Sequence, residues 1–500
     1  MKTNKFSASI FNFVFNSINQ LIMIVNGIVM VPIYFKYMSI STYGAWLATG
    51  NVIAMLGILE SGFSFVITQK MSVTLEDKDE IKFLELAGAN IFTSIFLAAT
   101  VFLLGILISP FIADWVNVEA AIREPITKAY IISLVSASIS IAVSLNGAFP
   151  QVWQDTKAVG KIKTAANIIG IISLIIFLLS GFGVVSLALG YLTKALFDLI
   201  FQGRWIILKW KKLQLSQPIF NLKVIKNLVR DSFYPFLSRL SSVLMGSSQS
   251  FIIAFFISPT LAAVYEITSK IGIVLTNFIS TISGSFFALF SLTFSTNDKI
   301  KINKLVKEVT ILFTTLLFAA LLFSLIFTKT FVYYWVGLDK FGGNNLLFLI
   351  LAALFISHVK KYLNNLLFTG GLINKSSKLD IMSMILYVIV LFIIIEKTQI
   401  YAVPLATLSS GIIFLGMYTR MLHKELFIDL QFIFKLILKL LLISAVFVLF
   451  HNMLSFDLKN ITTLIFYITS FTIIYITTIV LTNKKFVEIL IQKLKIGNKK

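Results

Sequence analysis

Cysteine is absent from the 500 residues, so the chain forms no disulfide and offers no thiolate for catalysis or metal binding. Charge is scarce as well. Asp, Glu, Lys and Arg make up 13% of the residues against 58% that are hydrophobic, and the mean hydropathy is +0.92. A water-soluble domain needs a charged coat, and this composition does not supply one. Acids are half as frequent as bases, 22 against 43, which leaves a net charge of +21. That excess does not mark a nucleic-acid binder. The lysines sit in short clusters between apolar runs, not on a basic face interleaved with exposed aromatics. The sequence also lacks a nucleotide-binding loop, a metal-ligand spacing, and paired carboxylates at catalytic spacing outside the apolar runs. No cofactor, no metal, no catalytic residue and no nucleic-acid partner are therefore expected, and an enzyme is not the expected class.

What is present is a series of long apolar runs. A bilayer crossing takes roughly 20 apolar residues, and the runs place spans at about 10–35, 43–68, 87–112, 128–149, 162–182, 184–206, 232–257, 261–292, 307–328, 345–368, 380–396, 400–421, 436–454 and 461–482. All are read as helices, because open strand edges go unsatisfied in hydrocarbon and the runs are too uniformly apolar for barrel strands. The first run continues too far for the core of a cleavable signal, so it is expected to remain as a first helix. Orientation follows from the basic residues. One set of alternate loops carries thirty Lys and Arg and the other carries seven, which puts both termini on the cytoplasmic side.

The largest basic loop divides the chain. It predicts an N-terminal six-helix bundle at 1–206 and a basic cytoplasmic linker at 207–231. A second six-helix bundle follows at 232–422, then two extra transmembrane helices with a basic tail at 423–500. The stretch Ser41-Thr-Tyr-Gly-Ala-Trp46 after the first span is echoed by Thr260-Leu-Ala-Ala-Val-Tyr265 after the seventh, as expected of parallel repeats. The expected fold class is thus an all-α integral membrane protein of about 14 transmembrane helices.

Ionisable residues inside spans cost on the order of 3 kcal/mol at a helix centre, so each needs a reason. Those well inside the spans are Glu60, Lys194, Asp198, Arg239, Glu266, Lys270, Lys360 and Lys361. Lys194 and Asp198 are four residues apart, as are Glu266 and Lys270, and mutual neutralisation on one helix face is a sufficient reason for either pair. Lys360 and Lys361 lie close enough to a boundary to snorkel, and neighbouring His358 is read as packed between helices. Arg239 is different. It stands in Tyr234-Pro-Phe-Leu-Ser-Arg239-Leu-Ser-Ser with no acid within a turn. Its planar fork suits phosphate oxygens, and the serines around it would either line a wet path or let helices pack closely. Glu60 would bind a coupling ion or pair with Arg239 or Lys270 across a cavity.

Three segments carry a family resemblance: Val31-Pro32-Ile33-Tyr34, then Ser41-Thr-Tyr43-Gly44-Ala-Trp46, then Leu59-Glu60-Ser61-Gly62. They resemble the opening of Wzx-type O-antigen and polysaccharide flippases, of the multidrug/oligosaccharidyl-lipid/polysaccharide exporter superfamily, with Glu60 where Asp is frequent. The resemblance implies translocation of an undecaprenyl-diphosphate-linked oligosaccharide from the cytoplasmic to the outer leaflet of a bacterial inner membrane. It implies alternating access through a cationic cavity. Arg239, Lys270 and Lys194 would bind substrate, and Glu60, Asp198 and Glu266 are the coupling-ion candidates. Membrane lipids, a polysaccharide polymerase and a chain-length regulator are the implied partners.

Three other readings stand beside it. A drug/cation antiporter of the same superfamily would want acids in its cavity and usually has twelve spans. A lipid II flippase shares the span count and the cationic character. A membrane polysaccharide polymerase or ligase would carry a large outward loop, whereas the longest outward loops here, about 113–127 and 329–344, are short.

Overall fold

A computed structural model describes residues 5–442, apart from 287–288, 291–292, 295–297, 429–431 and 433–434, together with residue 469. Every regular element among them is helical. The chain runs through α1 (Lys5–Tyr34), α2 (Ile40–Leu56), α3 (Ile58–Glu76), α4 (Glu80–Ile108), the short α5 (Ile112–Trp115), α6 (Ala120–Asn146), the short α7 (Ala148–Val152), α8 (Thr156–Leu179) and α9 (Val185–Lys212). It continues through α10 (Leu222–Gly246), α11 (Gln249–Phe256), α12 (Pro259–Ser285), α13 (Lys299–Trp335), α14 (Asn344–Thr369), α15 (Ile373–Thr398) and α16 (Ala402–Leu426). Among the described residues nine helical stretches are long and apolar enough to cross a bilayer. Their outward faces are large hydrophobics such as Ile95, Leu103, Leu107, Ile393 and Ile412, which only lipid accommodates in such numbers. The chain is an all-α, multi-pass integral membrane protein.

Two expected spans are each broken in the middle. The run 43–68 is α2 followed by α3, with Gly57 serving as the C-cap of one and the N-cap of the other. The run 232–257 is α10 followed by α11, parted at Ser247 and Ser248. Gly and Ser cost a helix interior stability and tolerate the departure from helical bonding. The run 128–149 likewise breaks at Gly147. The expected spans 436–454 and 461–482 lie outside the described residues, except for 436–442 and 469.

The described residues group into two compact units. One extends to Glu266 and adds Asp380–Ile385 and Ile394–Ile400. The other takes Ile267–Leu379, Leu386–Ile393 and the chain from Tyr401 onward. In the first unit several buried side chains hydrogen-bond across helices. Gln202 Nε2 donates to the Val143 carbonyl at 2.9 Å, Asn90 Nδ2 to Asn146 Oδ1 at 3.2 Å, and Tyr130 Oη to the Gly105 carbonyl at 3.2 Å. Such bonds stabilise helix pairs in lipid by about 0.6 kcal/mol each. Its Trp153, Trp205 and Trp210 pack with Phe83 and Phe149 at one end of α9. In the second unit α13 and α14 meet through Phe313 stacked on Tyr362 at 4.8 Å, with Tyr362 hydroxyl 2.8 Å from Thr310 Oγ1.

Candidate functional site

The break at Gly57 decides where the first acid goes. Because α3 starts inside the bilayer-spanning run, Glu60 occupies the first turn of a helix, where unpaired backbone N–H groups and the helix dipole favour a negative charge. The break at Gly147 ends α6 just after Ser144, whose Oγ donates to Glu60 Oε1 at 2.7 Å. Ser64, one turn further along α3, also bonds the carboxylate. Two interrupted helices therefore meet at Glu60, which remains accessible and half-buried.

The second contributor is α10. A Cβ on Gly62 would stand 2.6 Å from the Ser232 carbonyl oxygen, so only glycine lets α3 and α10 approach this closely. That contact carries Arg239 into electrostatic range of Glu60. Arg239 itself is exposed, and among the described residues it has no hydrogen-bond or ion-pair partner. The preceding residue is tied down: Ser238 Oγ donates to Asp380 Oδ2 at 2.8 Å. Asp380 is 5% exposed, the one buried acid among the described residues. It lies two turns into α15, which begins at Ile373, seven residues before the start of the expected span 380–396.

The third contribution comes from α8 and α9. Lys194 and Asp198 interact electrostatically. Among the described residues they do not close into an ion pair, and Asp198 Oδ1 is buried without a hydrogen-bond partner. Lys163 of α8 interacts with Glu60, Lys194 and Asp198 alike. Lys163 therefore sits at the hub of the cluster. By its position at the start of the expected span 162–182 it reads as a boundary lysine, yet α8 begins at Thr156 and carries it two turns into the helix.

Beside the cluster, Met23, Asn26, Asn167, Gly170, Tyr191 and Lys194 line a small recess of about 30 Å³ between α1, α8 and α9. Asn26 Oδ1 and Asn167 Oδ1 are buried there without donors, while Asn167 Nδ2 donates to Asn19 Oδ1 at 2.7 Å. Two unanswered acceptors and an ammonium beside a recess of this size suit ordered water.

Of the sequence-derived site residues, the structure thus brings together Glu60, Lys194, Asp198 and Arg239 in the first unit, and adds Lys163. Glu266 belongs to the same unit but lies in electrostatic range of Tyr43. Lys270, one turn further along α12, belongs to the second unit, as do Lys360 and Lys361. His358 is buried on α14, its Nδ1 donating to the Leu354 carbonyl at 2.8 Å. Among the described residues no group of three or more His, Asp or Glu side chains is arranged to hold a metal ion. With three cations against two carboxylates, the cluster attracts anions and retains acids able to exchange a proton or a small cation.

The architecture is that of a multi-pass helical membrane protein that holds charged side chains within its apolar segments. The chain belongs to the polysaccharide biosynthesis protein family, whose model matches residues 9–294. Among solved structures, it is similar to the lipid II flippase MurJ in an inward closed conformation, with a TM-score of 0.73 and 14% identity over 96% of this chain and 100% of that one. It is also similar to a multidrug resistance MATE family transporter of the MOP superfamily in its inward-facing conformation. There the TM-score is 0.63, with 15% identity over 82% of this chain and 97% of that one. A Vibrio cholerae MATE transporter matches with a TM-score of 0.55 and 13% identity, over 85% of this chain and 99% of that one. No curated protein matches by sequence.

Proposed function

We propose that the chain is a flippase for a lipid-linked oligosaccharide, an undecaprenyl-diphosphate-linked O-antigen or capsule repeat unit, moving its head from the cytoplasmic to the outer leaflet. The observation that carries this reading is the cluster of Lys163, Lys194 and Arg239 around Glu60 and Asp198 inside a membrane-spanning unit. A diphosphate needs fixed cations, and Arg239 offers an accessible fork with no hydrogen-bond partner among the described residues. Membership of the polysaccharide biosynthesis family supports the same substrate class.

In this reading Arg239, Lys270 and Lys194 are the substrate-binding cations. The prenyl tail stays in lipid. Glu60, Asp198 and Glu266 serve as exchange sites for the coupling ion. The chain divides into bundles at 1–206 and 232–422, joined by the basic linker 207–231 and followed by two helices and a tail at 423–500. It resides in the bacterial inner membrane with both termini cytoplasmic, where a polymerase and a chain-length regulator take over its product. It carries out no covalent chemistry.

The test is deletion of the gene in its host, with surface polysaccharide and lipid-linked repeat units assayed together. Loss of the surface polymer with unpolymerised units accumulating on the cytoplasmic leaflet supports the proposal. Normal surface sugar with heightened drug sensitivity would move the function to a drug/cation antiporter, and arrested peptidoglycan synthesis would move it to lipid II.

A further inference from the structure

The basic segment between α9 and α10 is held in place by specific bonds. Trp210 Nε1 donates to the carbonyls of Leu215 and Ser216, both at 3.1 Å. The Ile219 amide donates to the Leu84 carbonyl at 3.0 Å, and Asn221 Nδ2 to Glu85 Oε1 at 2.7 Å. Asn221 then caps α10, its Oδ1 accepting from the Lys223 and Val224 amides. The segment is thus strapped across the start of α4.

Its outward face is unlike that of a solvated loop. Ile219 is 39% exposed, Phe220 56% and Leu222 67%. Phe220 sits edge-on against Phe92 at 5.1 Å, and Phe92 stacks on Phe96 at 6.0 Å. Phe92, Ile95 and Phe96 belong to the exposed apolar face of α4, a helix apolar enough to span the bilayer. The strap therefore extends the lipid-facing surface without a break. Next in the chain, in the first three turns of α10, Lys223, Lys226 and Arg230 are exposed at spacings that share one helix face. Three apolar side chains followed by three cations match a bilayer edge, acyl chains first and headgroups next.

We infer that residues 219–230 form a fixed interfacial anchor that docks the anionic phospholipid headgroups of the adjoining leaflet. The occupant is an anionic lipid because the three cations stand beside apolar groups that a soluble acidic partner would leave in water. The strap holds the anchor at one depth relative to α4, so the lipid contact registers the first unit in the membrane. Substrate identity does not enter this inference.

The test uses the full chain and reads lipid binding, not transport. In native mass spectrometry from detergent supplemented with phosphatidylglycerol or phosphatidylcholine, the protein should retain the anionic lipid preferentially. The Lys223→Gln/Lys226→Gln/Arg230→Gln variant should retain it about fivefold less per cation removed. Because the chain has no cysteine, Leu222→Cys takes a single spin label. In liposomes that label should collide with dissolved oxygen more than with a water-soluble nickel chelate. Equal retention of the two lipids, undiminished retention by the triple variant, or the reverse collision ranking overturns the inference.

Discussion

Gly44 and Ala263, equivalent positions in the two echoed segments, touch each other. A Cβ placed on Gly44 would lie 3.3 Å from Ala263 Cβ and would overlap the carbonyl of Pro259. Glycine at 44 is what lets α2 close on the corner between α11 and α12. Gly44→Leu should force that corner apart, at a cost of about 1–3 kcal/mol for overpacking. Thermal unfolding of purified protein in detergent checks it; an unchanged midpoint would show the contact to be dispensable.

Arg239 should tolerate no loss of charge. Arg239→Ala is expected to abolish transport in a complementation assay while membrane levels stay normal. Arg239→Lys should recover only part of it, because an ammonium cannot grip two phosphate oxygens as a fork does. Full activity of the alanine variant would refute the assigned role.

Lys163 and Glu60 should behave as one unit. Lys163→Gln and Glu60→Gln are each expected to lower transport strongly, and the double variant should lose less than the two single effects combined. The Ser144→Ala change, which removes only the 2.7 Å bond to Glu60, should cost about 1 kcal/mol, roughly a fivefold loss. Strict additivity in the cycle would place the two side chains in separate functions.

Acid sensitivity is expected from the linker. The Lys70 ammonium bonds Asp231 at 2.6 Å and, helped by Arg230, holds its carboxyl below the usual carboxylate range. A depressed folded-state value stabilises the protein above the unfolded value, about 3.9, and that contribution fades as pH falls through the folded one. The pair is exposed, so the effect is small. The gap in thermal midpoint between the native protein and Asp231→Asn should be present near neutral pH and close as the pH falls below about 4. A gap that is the same at both ends would sink the prediction.

Much of the architecture is legible in composition and hydropathy, because a helix in lipid must satisfy its own backbone and clothe itself in apolar side chains within about 20 residues. Glu60, Lys194, Asp198 and Arg239 are legible for the complementary reason that charge within such a run demands compensation. Lys163 and Asp380 were not legible as site residues. Each lies at the very start of an expected span, 162–182 or 380–396, where a charge needs no compensation within the apolar run. Only helices that begin earlier than the hydropathy does, at Thr156 and Ile373, carry them inward.

The sequence by itself determined that the chain lives in a bilayer as a set of helices, that it works without thiols, and that cations outnumber acids along its length. Those are properties of each segment against its solvent, and they need no knowledge of neighbours. The tertiary structure decided which charges meet. Gly57 and Gly147 interrupt helices far apart in sequence so that Glu60 faces Ser144. Gly62 admits α10 and brings Arg239 within range. Helix pairing depends on where small residues permit backbones to approach, a property of two surfaces together.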